Sequence, residues 1–501
     1  MSQPTLSLAM IVKNEEYNIY TCLKQVEDLV DEIIIVDTGS TDNTLKVLNQ
    51  FPVTLYHYKW DDDFSSARNY SISKCTCNWI LILDADEFID STLKYMVREL
   101  IKTKDFVGFE FEQFTYLSND ITPEFRIEPV LRLFPNHSSL RFRYSIQEKL
   151  ICNNPELEFK HIYSGIRLWH YGYMQQNYQS REKYNRNLQV YLKNLLLKPE
   201  DSLEHFFTGL QYYYLHKYKD ALNHIKLAIK YGSKDITYYP YFFTMGAAIL
   251  TKLDLYKDAR NMCEEAISID PSIGEAYFNA GETMRNLRDY TGAIIMLEKA
   301  ISSEDKNYYF FQDRSKTGWK AYSEMAICYV QLKEMEKARD ALLKALNLKP
   351  FYSPLMVSLA YLYKELDDLP EAEKYFQAVY EQEFNRFSIA YELYEIYKQT
   401  GRINLAASIL EKLYFYNKEN PTLLLDIART FYEAGDNIKA INYYSQYLED
   451  FPDSPSEEIY LRRGVCFFRE GLTKKARSDF NRSRKKNPHL LRKVFLDELV
   501  K

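Results

Sequence analysis

The chain lacks the compositional marks of several large classes of protein. Its 501 residues carry a formal net charge of −6, so the basic surface that binds nucleic acids is missing. The seven cysteines are scattered without paired C-x-x-C spacing, which argues against a disulfide framework or a zinc site. No apolar run approaches the roughly 20 residues of a membrane helix, and the first residues lack the basic start of a secretory signal. We therefore expect a cytoplasmic protein that binds neither nucleic acid nor membrane.

The N-terminal third has the pattern of an α/β domain. Strand-like apolar runs alternate there with helical patterns, which is typical of a mostly parallel, Rossmann-like sheet flanked by helices. The runs cover residues 6–12, 32–37, 53–59 and 79–83. A less regular alternation at 106–116, 130–134 and 140–150 predicts an antiparallel extension of this sheet. A chain of this length should also contain at least one further domain.

Polar residues follow three of these runs. Asp84 and Asp86 come directly after the fourth run, Asp37 ends the second, and Lys13 follows the first. In a mostly parallel sheet, ligands bind beyond the carboxyl ends of the strands. Two carboxylates that are two residues apart in an extended backbone can reach toward one ligand. The sequence therefore predicts a site for a divalent metal and a diphosphate at this edge.

Five stretches make the region 1–173 similar to a known family. In chain order they are L-A-M-I-V-K-N-E-E, E-I-I-I-V-D-T-G-S-T-D-N-T, K-W-D-D-D-F-S-S-A-R-N, D-A-D-E and W-H-Y-G-Y. Together they resemble the family 2 glycosyltransferases, which use nucleotide sugars and have the GT-A fold. Five ordered matches are more specific than any single motif. The resemblance implies an inverting transferase, with a UDP-hexose as the donor.

The resemblance also implies roles for the acidic residues. In the family, Asp37 would hold the nucleobase, Asp84 the ribose or diphosphate side, and Asp86 with His170 a divalent metal. Bound Mg²⁺ or Mn²⁺ stabilises the charge that develops on a diphosphate leaving group. Such cations take one or two carboxylates together with substrate oxygens and water. A neutral imidazole suits Mn²⁺ better than Mg²⁺, so His170 as a ligand favours manganese.

Five further residues are expected at the donor. They are Lys13, Asn14, Glu15, Arg68 and Arg132. The first three follow the first strand, and Arg68 lies in a segment that is near the donor in the family. Arg132 offers a guanidinium fork that matches phosphate geometry.

The acceptor hydroxyl or thiol needs a base to take its proton. Many relatives with appended repeats read G-x-V-H-E where this chain has residues 145–148, so Gln147 replaces a histidine while Glu148 remains. We take Glu148 as the candidate base, with Glu87 and Asp63 as alternatives.

Some of these residues have a purely structural interpretation as well. Asp42 could cap the helix that follows it. His170 lies between Trp169 and Tyr171 and could be a packed histidine. Glu148 could be an outward-facing residue of an edge strand.

From about residue 175 the pattern is helical throughout. Small residues recur there at steps close to the 34-residue period of the tetratricopeptide repeat. They are Ala221, Ala259, Ala293, Ala338, Ala372, Ala406, Ala440 and Ala476. We predict a transferase domain at 1–173, a helical linker at 174–200 and about eight repeats at 201–501. One step of 45 residues predicts an insertion near 302–318.

The two regions together suggest a substrate class. Stacked repeats present a concave groove that generally takes peptides or protein partners. With the transferase motifs, this arrangement resembles the bacteriocin glycosyltransferases of the sublancin and enterocin type, which modify Cys or Ser of a peptide. We therefore expect UDP-glucose to be the donor and a peptide or protein in the repeat groove to be the acceptor. The alternatives are a surface glycan or other non-peptide acceptor, a non-catalytic scaffold, and repeats that serve as a spacer or a homodimer interface.

Overall fold

The chain forms two compact units, Met1–Phe351 and Tyr352–Lys501, in a computed structural model. The described residues are 3–116, 125–171, 177–235, 238–303, 313, 315–383, 386–452 and 457–486. Residues 172–173 of the last motif and 304–312 of the predicted insertion lie outside them. The domain boundaries drawn from the sequence stay predictions.

The first unit begins with an α/β domain. Its strands are β1 Leu6–Val12, β2 Glu32–Asp37, β3 Thr54–His57, β4 Trp79–Ile82, β5 Glu87–Ile89, β6 Val107–Tyr116, β7 Phe125–Pro135, β8 Leu140–Arg143, β9 Lys149–Cys152 and β10 Lys160–His170. Its helices are α1 Ile19–Val26, α2 Thr44–Leu48, α3 Phe64–Ile72 and α4 Tyr95–Leu100. The alternation of strands and helices that the sequence predicts is confirmed.

Eight strands form one sheet in the order β3-β2-β1-β4-β7-β6-β10-β5. The pairs among β1 to β4 are parallel, and β7 runs antiparallel to both β4 and β6. Strand β10 is parallel to β6. The predicted fold class, a mostly parallel sheet with antiparallel strands added to it, is therefore confirmed. The carboxyl ends of β1, β2 and β4 lie side by side, because Val12 pairs with Asp37 and Ala9 with Ile82.

Apolar residues cover the sheet on both faces. Alternate residues of β1, such as Leu8 and Met10, pack with Leu23 of α1 in one cluster. Ala9 lies on the other face, with Ile72 of α3 and Phe142 of β8. A strand that is buried on both faces reads as a continuous apolar run, which explains the sequence of β1.

Two features differ from the sequence pattern. Residues 140–150 do not form one strand of the extension. They divide into β8 and β9, which pair in a separate two-stranded sheet. Tyr144 and Gln147 in the connecting turn have φ values of 75° and 52°, and this left-handed backbone cannot continue a strand. The three residues of β5 also pair with the end of β10, a short pairing that apolar periodicity does not reveal.

The rest of the first unit is helical. After α5 Asn177–Leu197 its helices are α6 Ser202–Tyr214, α7 Tyr218–Tyr231, α8 Tyr239–Lys252, α9 Tyr256–Ile269, α10 Gly274–Asn286, α11 Tyr290–Ser302, α12 Trp319–Gln331 and α13 Met335–Leu348. Asp201 caps helix α6, because its carboxylate accepts hydrogen bonds from the backbone N–H groups of Leu203 and Glu204. A Cβ on Gly209 would lie only 3.0 Å from Ile225, so α6 and α7 approach closely where the small residue stands.

The second unit contains helices of the same kind. They are α14 Ser353–Glu365, α15 Leu369–Gln382, α16 Phe387–Gln399, α17 Ile403–Tyr416, α18 Pro421–Glu433, α19 Asn437–Asp450, α20 Glu457–Arg469 and α21 Thr473–Lys486. The recurring alanines are buried in both units, from Ala221 to Ala476. In the described part of the chain no helix has the length and apolar character needed to cross a membrane.

Candidate active site

The acidic residues after β4 form the centre of a network of charged side chains. The Asp84 carboxylate accepts a hydrogen bond of 2.9 Å from Nη2 of Arg68, and Nη2 of Arg132 lies 3.8 Å from it. Burial alone would raise the pKa of Asp84, but these two guanidinium groups outweigh it and hold the pKa below its usual range. Asp84 is therefore ionised at neutral pH.

Arg68 connects Asp84 to the candidate base. It lies on α3 with only 5% of its surface exposed, and its Nε donates to Oε1 of Glu148 at 2.5 Å. The same side chain thus holds two carboxylates that are 64 residues apart in the sequence (148 minus 84). The predicted donor residue Arg68 is placed between two acidic residues, and it joins the turn after β8 to the end of β4.

Glu87 is the fully buried member of the network. Its carboxylate accepts a 2.5 Å bond from Nη2 of Arg132 and a 3.0 Å bond from the backbone N–H of Asp84. Burial raises the pKa of Glu87, and Arg132 opposes that shift. With both oxygens engaged and no exposed surface, Glu87 is poorly placed to act as a base. The other alternative, Asp63, caps α3 through the N–H of Ser66.

Asp86 lies beside His170 at the end of β10. The distance from Oδ2 of Asp86 to Nε2 of His170 is 3.3 Å, and both side chains are largely buried. Burial would lower the pKa of His170, but the hydrogen bond and the charge of Asp86 raise it above its ordinary value. Two ligands at about 2.1 Å from one cation, at right angles to each other, lie roughly 3 Å apart. Asp86 and His170 therefore fit as two ligands of one divalent cation, with the other positions left for substrate and water.

Gln113 and Thr115 of β6 are site residues that sequence reasoning missed. Nε2 of Gln113 lies 2.9 Å from Nδ1 of His170, and Oγ1 of Thr115 lies 3.2 Å from the same nitrogen. Oε1 of Gln113 accepts a 3.3 Å bond from Arg132, which orients the amide. With the amide in this orientation its nitrogen donates to Nδ1 of His170, and the proton of a neutral ring then sits on Nε2, facing Asp86.

A metal at Nε2 of His170 would require the ring proton to move to Nδ1. There the hydroxyl of Thr115 can accept it as the second partner that ligating histidines usually have, and the amide nitrogen of Gln113 would have to turn away from Nδ1. One sequence signal could have identified these residues. Phe109 and Phe111 are buried on one face of β6, and the two polar residues Gln113 and Thr115 continue that buried face.

The ends of β1 and β2 form the neighbouring part of the site. Asp37 is 4% exposed, and its carboxylate accepts hydrogen bonds from the N–H groups of Gly39 and Ser40. Asn14 ties the two strand ends together, because its N–H donates to Oγ of Ser40 and its Oδ1 accepts from the N–H of Thr41. Asp42 has a structural contact as well, since it accepts from the N–H of Thr44 at the start of α2.

Glu15 connects these strand ends to the acidic network. Burial, followed by the charges of Asp86 and Asp84, raises the pKa of Glu15 from 4.5 to about 7. Asn18 donates a 3.1 Å hydrogen bond to its carboxylate. Lys13 is exposed. The predicted site residues thus lie at or beside the carboxyl ends of β1, β2, β4 and β10, Arg132 reaches them from β7, and Glu148 joins them through Arg68.

Among the described residues there is no group of three or more His, Cys, Asp or Glu side chains arranged to hold a metal. A site of two protein ligands completed by substrate oxygens needs no such group.

Comparisons with known proteins match both regions of the chain. The model of glycosyl transferase family 2 matches residues 7–155. Tetratricopeptide repeat models match residues 274–307, 320–352, 391–455 and 425–489.

Curated relatives match parts of the chain. The SPbeta prophage-derived glycosyltransferase SunS of Bacillus subtilis (strain 168) is 29% identical over 235 residues, which are 45% of this chain and 53% of SunS. A TPR repeat-containing protein of Synechococcus elongatus is 32% identical over 39% of this chain and 49% of its own length. The lipopolysaccharide core biosynthesis glycosyltransferase LpsC of Rhizobium meliloti is 30% identical over 24% of this chain and 46% of its own. The chain spans about half the length of the curated relatives it matches.

The five motifs, the sheet order and the family models agree with one another. The chain thus combines a family 2 glycosyltransferase domain with tetratricopeptide repeats.

Proposed function

We propose that this protein moves a hexose, with inversion and in a metal-dependent reaction, from a nucleotide sugar to a side chain of a peptide or protein. The proposal is carried by the pairing of Asp86 with His170 beside Asp84, at the carboxyl edge of the sheet in a family 2 domain. We take UDP-glucose as the donor because of the family resemblance.

The charges of the site support a divalent cation. Four carboxylates contribute: Asp84, Asp86, Glu87 and Glu148. The guanidinium groups of Arg68 and Arg132 offset two of them, and carboxylates remain in excess. A dication offsets this excess and, when bound, stabilises the diphosphate as it leaves. Asp86 and His170 would hold it.

Four of the donor residues then have a defined task. The backbone N–H groups of Gly39 and Ser40 fix the Asp37 carboxylate, which would accept a hydrogen bond from the nucleobase. Asn14 and Glu15 would line the nucleotide beside it. Asp84, held in one orientation by Arg68, would face the ribose.

Glu148 would take the proton from the acceptor. One of its oxygens is bound by Arg68, and the other would accept hydrogen from a hydroxyl or thiol. The acceptor oxygen or sulfur then forms a bond to the anomeric carbon as the bond from that carbon to the diphosphate oxygen breaks. The electron pair leaves with the nucleoside diphosphate. Attack from the opposite face inverts the anomeric centre.

A cavity in the repeats supports a peptide as the acceptor. It has a volume of roughly 300 Å³ and is lined by the first helices of four consecutive pairs, α6, α8, α10 and α12. Its walls include the rings of Tyr213, Phe278 and Trp319 and the charged groups of Lys252 and Glu282. Rings and charges of both signs together suit the mixed chemistry of a peptide.

The first test measures turnover. The purified protein is incubated with Mn²⁺, Mg²⁺ or EDTA and a panel of nucleotide sugars, and release of nucleoside diphosphate is followed. We expect turnover with a UDP-hexose that EDTA abolishes. Asp86→Asn should remove the metal-dependent turnover and keep the thermal unfolding temperature. Its matched control is Asp90→Asn, four residues later, where the carboxylate accepts from Thr92 outside the network. If hydrolysis, transfer and metal-dependent nucleotide binding are all absent, the proposed enzyme function is wrong, and the non-catalytic scaffold is the alternative that remains.

A second test concerns the acceptor. Peptides with Ser or Cys are compared with oligosaccharide acceptors, using Phe278→Ala in the cavity and an exposed repeat position, Ile295→Ala, as the control. We expect Phe278→Ala to raise KM for the peptide about tenfold and to leave donor hydrolysis unchanged. Transfer to oligosaccharides alone would replace the peptide acceptor with the glycan alternative.

A further inference from the structure

The turn that carries Glu148 has a strained backbone. The base loop, residues 144–148 between β8 and β9, contains two non-glycine residues in the left-handed region, Tyr144 and Gln147. A non-glycine residue in this region is strained and persists only where the surroundings hold it. The contacts of the base loop therefore decide where the carboxylate of Glu148 lies.

One side of the base loop is held by α3 of the transferase domain. The N–H of Phe64 donates to the carbonyl of Ser145 at 2.8 Å, and Oγ of Ser65 donates to the carbonyl of Tyr144 at 2.5 Å. Arg68 of the same helix binds Glu148. These contacts fix the two ends of the loop.

The other side is held by the helices that follow the transferase domain. Nδ2 of Asn194 on α5 donates to Oγ of Ser145 at 2.9 Å. Ile146 is 9% exposed and packs in one cluster with Val190 and Tyr191 of α5 and Phe207 of α6.

Two further contacts continue this attachment into the repeats. Asn194 also donates to the carboxylate of Glu204 on α6, which ties the polar contact of the base loop to the first repeat. Just after the base loop, Nζ of Lys149 lies 3.3 Å from the hydroxyl of Tyr238, next to the start of α8. Contacts from Ser145, Ile146 and Lys149 thus reach α5, α6 and the residue before α8.

We infer that α5 and the first repeat are structural parts of the catalytic centre, because they fix the base loop through the positioning residues Ile146 and Asn194. This inference rests on the proposed function of Glu148. The same helices, α6 and α8, also line the cavity proposed for the acceptor. An acceptor held there contacts helices that also position the base. The repeats therefore contribute to the geometry of the catalytic centre as well as to acceptor binding.

The physical reason is geometric. Ile146, two positions before Glu148, supplies the apolar contact, and Asn194 supplies the polar one at Ser145, three positions before Glu148. Without them the left-handed turn can relax, and the carboxylate moves relative to the sugar. A misplacement of about 1 Å can cost up to roughly 100-fold in rate. Deleting all repeats would expose Phe207 and remove this support, so point variants of the full chain are the better probe.

The experiment compares Ile146→Ala and Asn194→Ala with Ile146→Val and with Gln189→Ala, an exposed position on α5. For donor hydrolysis we expect both alanine variants to lower kcat roughly tenfold while KM for the donor changes less than about twofold. Ile146→Val and Gln189→Ala should keep the wild-type kcat. Titration with UDP and Mn²⁺ should give an unchanged number of binding sites, which separates misplacement of the base from a loss of folded protein.

Two results would overturn the inference in different ways. If Glu148→Gln lowers kcat and the alanine variants do not, the base loop does not need the repeats, and the proposed function stands. If Glu148→Gln itself keeps the wild-type kcat, the assignment of the base is wrong, and the inference falls with it. Asn194→Ala removes only one side-chain amide, so it keeps the test decisive where Ile146→Ala fails to fold.

Discussion

The edge of the transferase sheet buries a network of charged side chains, whereas the described helices of the second unit bury mainly apolar ones, with Arg463–Asp479 as a buried ion pair. At the sheet edge Arg68, Glu87 and Asp37 are at most 5% exposed and rely on one another or on backbone N–H groups. In the second unit the buried positions are mainly alanine, leucine and aromatic residues, and ion pairs such as Lys398–Glu433 lie at the surface. A buried charge is tolerated only with its partner, whereas a surface pair contributes little. The two regions should therefore respond differently to the loss of a single residue.

The largest effect is expected for Arg68→Met. This change leaves Asp84 and Glu148 without their shared guanidinium, and breaking a buried ion pair costs about 3–5 kcal/mol. Urea unfolding followed by circular dichroism measures the loss, and the double variant Arg68→Met, Glu148→Gln should recover part of it. A loss below about 1 kcal/mol would mean that the buried network does not stabilise the domain.

A smaller effect is expected for overpacking in the repeats. Ala406 is fully buried, and Ala406→Leu adds three heavy atoms where two helices meet, at a cost of about 1–3 kcal/mol. The control is Leu405→Ala at the adjacent exposed position, which should leave the urea midpoint unchanged. Equal midpoints for the two variants would show that this alanine is not a packing contact.

A pH-dependent effect is expected at Glu15. The folded-state pKa of about 7 lies above its ordinary value of 4.5, so the unfolded chain releases this proton first as the pH rises. The carboxyl group therefore lowers stability progressively between about pH 4.5 and 7 and has its full unfavourable effect above pH 7. Glu15→Gln should stabilise the protein at pH 8 by about 1–2 kcal/mol, a value reduced for the partial exposure of the group, and should change little at pH 4.5.

Urea unfolding in EDTA at the two pH values measures this difference. A gain of equal size at both would show that Glu15 titrates normally in the folded protein.

The smallest effect is expected for a surface pair of the second unit. Lys398 and Glu433 lie 2.9 Å apart with 38% and 41% of their side chains exposed. Glu433→Ala should change the free energy of unfolding by no more than about 0.5 kcal/mol, and added salt should reduce that further. A loss comparable to that of Arg68→Met would remove the distinction between the two regions.

Much of the transferase fold could be predicted from local pattern. Strands β1 and β2 have the bounds that their apolar runs indicate, because a strand covered on both faces reads as a nearly continuous apolar run. The alanines mark the helix pairs because only small residues allow helices to approach so closely. The strand-end motifs likewise identify the edge at which Asp37, Asp84 and Asp86 stand.

The partners of these residues could not be predicted in this way. Arg68 is expected at the donor from its motif, but its contact with Glu148 joins residues 80 positions apart and exists only once α3 packs against the base loop. Gln113 reaches His170 because β6 and β10 are neighbours in the sheet. Apolar periodicity describes one strand at a time, so it contains no information about which strands pair.

The sequence by itself determined the α/β start, the helical repeats, the acidic strand end after residue 83 and the family resemblance, because short-range periodicity and ordered motifs encode each of them. Only the tertiary structure decided the splitting of residues 140–150, the ion pairs that hold Asp84 and Glu87, and the attachment of the base loop to α5 and α6. These features depend on side chains that are distant in sequence and meet only after the sheet and helices have packed. The charge that each carboxylate carries in the folded protein depends on those same contacts.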